Sequence, residues 1–407
     1  MLNDPFLLPC GASLQNRLAK AAMTERLSGR DYLPNAFHLQ LYRIWAKSGA
    51  GLLLSGNIMV DKRYLESAGN IAVEAEEALP ALREWTAAGR APGQHLWAQL
   101  SHPGRQCTIL VSGRPLAPSA VRLRKLGLFA RPRAMTEVEI EDVIRRFVRT
   151  ATLCKAGGFT GVQIHAAHGY LLSQFLSPLT NRRTDQWGGS LANRARLLMA
   201  IVQQTREALG PDFPIGVKLN SADFQGGGFS EEDSLDVIRM LGAAGIDLLE
   251  ISGGTYERMV FLVEDEPEVK ASTRRREAYF LDFAHKAREV SNMPLMVTGG
   301  FRTRAFAEEA LRSGMLDVVG MARPFLTEPG QALAFLQGSL EKFSDFKIRT
   351  GWKKLEDMAE GGFYARLLIQ LARGEAPDRD SPALLSALFL PWHELRKALG
   401  KRVSVRQ

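Results

Sequence analysis

Residues 163–198 read QIHAAHGYLLSQFLSPLTNRRTDQWGGSLANRARLL. The short run from Gly161 to Ile164 has strand character, Gly188-Gly189 breaks the chain, and Ser190 stands where it can cap a helix carrying Leu191, Leu197, Leu198 and Ile201. The stretch is therefore one β/α unit with a long polar loop in its middle. The strand end delivers His165, His168 and Tyr170 in close succession. Imidazole N–H groups can donate to a substrate oxygen and a phenol can donate a proton, so the cluster suits a polarise-and-protonate role. A lone histidine at a strand end is more often structural, but three polar rings leaving one strand end together point to a site. The loop NRRTDQWGGSLANR reads as part of the same site.

Outward from this unit the pattern repeats. Strand-like runs lie at Asn16–Thr24, Gly51–Asn57, His95–Leu100, Ile215–Asn220, Ile246–Ser252, in PLMVTGGF from Pro294 and in DVVGMARP from Asp317. Helix-like segments with apolar residues at helical spacing separate them, and Thr136 with Glu139 and Ser230 with Asp233 carry N-cap signatures. With the central run this makes eight strands, each followed by a helix, between residues 16 and about 338. Such alternation predicts a parallel sheet covered by helices, and the eightfold count favours a closed (β/α)8 TIM barrel. The runner-up, an open doubly wound sheet, calls for a Gly-rich fingerprint after the first strand, and Ala19–Thr24 has none. Phe6–Leu8 with Ser13–Leu14 predicts a short N-terminal hairpin. The barrel is expected over residues 1–343. Residues 344–407, with Trp352, Leu355, Phe363, Leu367, Leu368 and Leu371 at helix-like spacing, form a helical C-terminal extension and not an independent domain. It is expected to pack on the barrel or on a second copy of the chain, as in a homo-oligomer.

Composition narrows the function classes. Apolar residues at 45% and charged residues at 24% are those of a globular enzyme. The formal charge of +8 favours anionic ligands, yet the basic residues are interleaved with acids, so nucleic acid is not the expected partner. Only Cys10, Cys107 and Cys154 are present, too scattered for a disulfide framework or a four-cysteine metal cluster. No run of about 18 apolar residues predicts a membrane span. The expectation is a cytoplasmic protein acting on a small molecule.

Other site candidates follow from barrel geometry, which puts chemistry at the C-terminal ends of strands. Lys218 interrupts an apolar strand, a costly placement unless the ammonium is paired or faces a ligand. The loops after strands seven and eight, with Gly299, Gly300, Ala322 and Arg323, suit a phosphate: glycine-freed amides, a following helix N-terminus and a guanidinium. Together with Ala22, Met23, Thr24, Gly56, Gln99, His165 and His168, these residues offer amide, hydroxyl, carboxamide and ammonium groups to a flat ligand such as an isoalloxazine. His165 and His168 have no third ligand at a metal spacing, so no metal is expected.

The stretches NRLAKAAMT, QLSHPGRQ, HAAHGYLLSQFLSPLTNRRTDQWGGSLANR, GVKLN, TGGF and GMARP resemble the old yellow enzyme family of NADH:flavin oxidoreductases over roughly residues 1–340. The resemblance implies a barrel holding FMN non-covalently, with NAD(P)H as reductant and an activated alkene as acceptor. By position it implies FMN contacts from Ala22, Met23, Thr24, Gly56, Gln99, Lys218, Gly299, Gly300, Ala322 and Arg323. His165 and His168 would bind the substrate oxygen, and Tyr170 would be the proton donor. Many relatives carry Pro at the position of Ala22 and Arg at that of Lys218, and one branch carries Cys at that of Thr24. The tail lacks the cysteines that some larger relatives use for an iron-sulfur cluster. Within the same class, an NADH oxidase or nitro-compound reductase is the alternative; a metal-dependent barrel hydrolase is the alternative from a different class.

Overall fold

The computed structural model describes residues 1–124, 127–252, 281–346, 348 and 350–402. Eight runs become barrel strands: β1 (Leu18–Lys20), β2 (Leu52–Met59), β3 (His95–Ser101), β4 (Gly161–Ala166), β5 (Ile215–Asn220), β6 (Leu248–Ser252), β7 (Leu295–Thr298) and β8 (Val318–Met321). Each pairs in parallel with the next, and Gly320 of β8 lies beside Ala19 of β1, so the sheet closes on itself. The doubly wound alternative is thereby overturned. The expected hairpin forms between Phe6–Leu7 and Ser13–Leu14.

Helices start where side chains can satisfy the free N–H groups of a first turn. Asn35, Thr136, Ser190 and Ser230 each accept such a bond, and Thr136 with Glu139 completes the expected capping box. Each cap contributes about 1 kcal/mol.

Side-chain alternation along the strands positions the site. At the base of the barrel Ala19, Leu52, Leu54, Trp97, Leu248, Met296 and Val318 form a closed apolar layer, which Leu8 and Leu14 of the hairpin region cover from below. Trp97 lies so close to two neighbouring strands that a Cβ on Gly161 would stand 2.4 Å from its Nε1, and one on Gly216 3.0 Å from its ring. One step of two residues further along the same strands come Gln99, Gln163, Lys218, Glu250 and Thr298. The interior thus turns from dry to polar toward the C-terminal ends.

The extension contains two helices, Lys353–Ala372 and Ala383–Arg402. Phe363, Leu367, Leu368 and Leu371 join the main core, so the tail packs on its own barrel. The second helix is pinned to the loops after β1 and β2. His393 Nε2 lies 3.0 Å from the Arg26 carbonyl, Lys397 donates to the carbonyls of Leu27 and Ser28 at 2.9 Å, and Glu394 accepts from the Ala68 amide at 3.1 Å. Residues 253–278, which the sequence reads as a long loop carrying Arg274, Arg275 and Arg276 between the sixth strand and the helix after it, lie outside the described residues. No helix among the described residues is long and apolar enough to cross a membrane.

Candidate active site

β4 runs two residues beyond the Ile164 end read from sequence, so His165 is itself part of the strand. A tight turn follows, in which the Tyr170 amide donates to Ala167 O at 3.2 Å. His168 takes φ +59°, a left-handed conformation that strains a residue with a Cβ. Two bonds hold it there: its amide donates to Asn220 Oδ1 at 3.0 Å, and Gln106 Nε2 donates to its carbonyl at 2.8 Å. The turn brings the three rings together. His165 meets His168 edge-to-face at 5.1 Å between centroids and Tyr170 at 4.8 Å. Tyr170 also begins a short helix, Leu171–Leu176, that the sequence reading missed.

Burial holds His165 well below its ordinary pKa of 6.5, with His168 and the Lys218 charge adding to the effect. His168 is lowered by burial and then by Lys218. Both rings are therefore neutral near pH 7, and each can donate one N–H. The Ala167 amide donates to His165 Nδ1 at 3.2 Å, which leaves that ring's proton on Nε2. His168 Nε2 lies 2.7 Å from Ser252 Oγ at the end of β6.

Below the rings runs a chain of polar groups across four strands. Lys218 Nζ sits 2.8 Å from Glu250 Oε1, with the two side chains only 6% and 0% exposed. Gln163 Nε2 donates to the other Glu250 oxygen at 2.8 Å, and Gln99 Nε2 donates to Gln163 Oε1 at 2.7 Å. The direction follows from the carboxylate, which accepts only: it forces Gln163 to donate, hence Gln163 Oε1 to accept, hence Gln99 to donate. Gln99 keeps its own Oε1 as an acceptor. Lys218 and Gln99 were expected here, whereas Gln163 and Glu250 were missed. The signal for Glu250 was legible, because an acid inside IDLLEIS is as costly as the lysine inside IGVKLN.

Ala22, Met23 and Thr24 follow β1 half-buried at the same end of the barrel, beside Gly56 of β2. Behind them the Gly56 amide donates to buried Glu25 at 3.1 Å, as does the Tyr42 hydroxyl. Gly299 and Gly300 after β7 take φ +105° and +83°. A helix, Arg304–Arg312, follows that loop, and Ala322 and Arg323 follow β8 and lead into the single turn Pro324–Thr327. Arg323 Nη2 is 2.7 Å from Glu360 Oε1 of the first tail helix, and its guanidinium lies 5.1 Å from the centre of the Tyr364 ring. The segment NRRTDQWGGSLANR spends much of its polarity on the fold. Asn181 Nδ2 donates to Phe175 O and Trp187 O at 2.8 Å, Arg183 to Met135 O at 2.6 Å, and Arg194 pairs with Asp233 at 3.1 Å.

A family profile described as NADH:flavin oxidoreductase / NADH oxidase matches residues 4–337. The chain belongs to this family. As a member of the old yellow enzyme family it is an NAD(P)H-dependent flavin oxidoreductase with FMN as cofactor. The flavin oxidoreductase is 38% identical over 348 residues to the NADH-dependent flavin oxidoreductase iliE of Hypocrea jecorina (strain QM6a), a match covering 80% of this chain and 86% of the relative. Its fold is similar to that of an old yellow enzyme homologue from Zymomonas mobilis, with a TM-score of 0.70, 26% identity and coverage of 84% and 94% of the two chains. Morphinone reductase in complex with tetrahydroNAD gives a TM-score of 0.71 at 25% identity, covering 84% of this chain and 92% of that one. Family membership overturns the metal-dependent hydrolase alternative. Among the described residues no group of three or more His, Cys, Asp or Glu is arranged to hold a metal ion.

Proposed function

We propose that this flavin oxidoreductase reduces an alkene activated by an adjacent carbonyl, with NAD(P)H as the electron source. The residues present suit FMN. Gln99 retains a free acceptor for an imide N–H, Lys218 sets a cation in the same polar layer, and Gly299, Gly300 and Arg323 gather after β7 and β8 where a phosphate would be held. Ala22, Met23, Thr24, Gly56 and Ala322 complete that set, and the hold is non-covalent. Bound FMN supplies a two-electron carrier that accepts hydride from NAD(P)H and returns it to an acceptor.

The observation that carries the reading is the contact of His165 with both His168 and Tyr170. Neutral imidazoles donate to the acceptor's carbonyl oxygen, polarise the double bond and fix its orientation. His168 does so by exchanging its Ser252 partner for the substrate oxygen. Tyr170, edge-on to His165, donates the proton that quenches negative charge at the α-carbon. The test is anaerobic reduction with NADH or NADPH, followed by mixing with an enone, a nitro compound or oxygen. Rapid reoxidation by the enone supports the proposal. Reoxidation by oxygen or the nitro compound alone assigns the oxidase or nitro-reductase alternative instead.

A further inference from the structure

The tail reaches the cofactor end of the barrel. Arg323 is half-open to solvent, yet its guanidinium already has two partners from the helix Lys353–Ala372: the Glu360 carboxylate at 2.7 Å and the Tyr364 ring at 5.1 Å. Arg302, after the neighbouring β7 loop, is likewise paired with the tail through Asp345. A guanidinium has donors on more than one edge, so a phosphate and Glu360 can compete for, or share, the Arg323 charge.

We infer that Glu360 is a positioning residue that sets how tightly the flavin phosphate is held, by acting as a competing anion on Arg323. The inference rests on the reading of Arg323 as a phosphate contact. Two effects of the carboxylate oppose each other. It orders the arginine, and ordering one such side chain accounts for about a 2- to 10-fold gain in binding. It also repels a near-dianionic phosphate on the same guanidinium. At a dielectric between those of a protein surface and bulk water, this is roughly a 10- to 50-fold loss. Repulsion is the larger effect. Neutralising Glu360 therefore tightens FMN binding, and by linkage FMN loosens the first tail helix from Arg323.

The test uses the full chain, stripped of flavin and titrated with FMN and separately with riboflavin, which lacks the phosphate, with flavin fluorescence as the readout. Glu360→Gln is expected to bind FMN about 5-fold more tightly, the ratio of the midpoints of the two opposing effects. Riboflavin affinity should stay within about twofold, because the phosphate carries the effect. Equal or weaker FMN binding overturns the inference, as does an equal gain for riboflavin. Glu360→Ala gives the same sign without the amide and serves if the glutamine variant folds poorly. An Arg323→Ala variant separates the two levels: unchanged FMN affinity there rejects Arg323 as a phosphate contact, whatever Glu360 does.

Discussion

Replacing Glu250 by Gln tests the polar layer most severely. The substitution keeps the side chain's shape and, through the amide oxygen, its acceptor for Gln163; it removes the charge facing Lys218 and turns an NH2 donor toward the ammonium. That pair is 2.8 Å long, with the Lys218 side chain 6% exposed and that of Glu250 not at all. Stripping one partner from such a pair leaves a buried cation and costs about 3–5 kcal/mol. In a chain of this size the melting temperature of the oxidised enzyme should fall by about 3–6 °C. On the proposed placement of Lys218 at the flavin, reduction adds negative charge near the unmatched ammonium and should recover part of the loss. If about 1.4 kcal/mol is recovered, the two-electron potential rises by about 30 mV. Thermal melts of both redox states, together with equilibration against a dye of known potential, measure both quantities. An unchanged melt with an unchanged or lower potential would refute the argument and make the ion pair a bystander to the flavin.

Replacing His165 and His168 together by Leu, which has no donor, should weaken binding of a phenol, a mimic of the substrate oxygen, by about 1.5–3 kcal/mol per lost bond to a charged oxygen; flavin absorbance during titration reports it, and equal affinity rejects the oxygen-binding role. The same variant should be less acid-sensitive. Both imidazoles are held well below 6.5 in the folded chain, so the unfolded chain binds more protons under that pH and wild-type stability falls as the pH drops from about 6.5. Melts between about pH 7.5 and 4.5 should therefore converge for variant and wild type, and parallel curves would count against the buried neutral pair. Gly161→Ala should destabilise by about 1–3 kcal/mol through overpacking on Trp97, with flavin content per folded chain unchanged; loss of flavin at equal stability would mean that the base and the site are not separate layers.

The barrel was legible because its signals are periodic. Alternation within strands, helical spacing between them, and the caps at Thr136, Ser190 and Ser230 each depend on residues only a few positions apart, and these are the features that formed as expected. The site was legible where a residue broke its local pattern, as Lys218 does inside an apolar strand. Gln163 heads the decisive stretch and was still passed over, because an amide in a strand is unremarkable until Glu250, 87 positions away, gives it a partner. The first strand was read as longer than the sheet makes it. Beyond Lys20 the chain leaves the sheet, and buried Glu25 takes bonds from Gly56 and Tyr42 that no local rule specifies. The pairing of Arg323 with Glu360 has no sequence period at all. Conversely, the polar loop around Trp187 was read as a site, when many of its side chains tie the loop to neighbouring carbonyls.

The central claim is that Tyr170 delivers the proton in alkene reduction, and Tyr170→Phe addresses it most directly by separating the two half-reactions in stopped flow. Hydride arrival from NAD(P)H needs no proton from the protein, so flavin reduction should proceed at nearly the wild-type rate. Reoxidation by an enone should slow by about 10²- to 10⁴-fold, the usual contribution of a positioned general acid. Reoxidation by oxygen, which can take protons from water, should be largely spared. Equal slowing of both half-reactions would contradict the account and leave Tyr170 as a shaping residue beside His165; an enone step at the wild-type rate would contradict it outright.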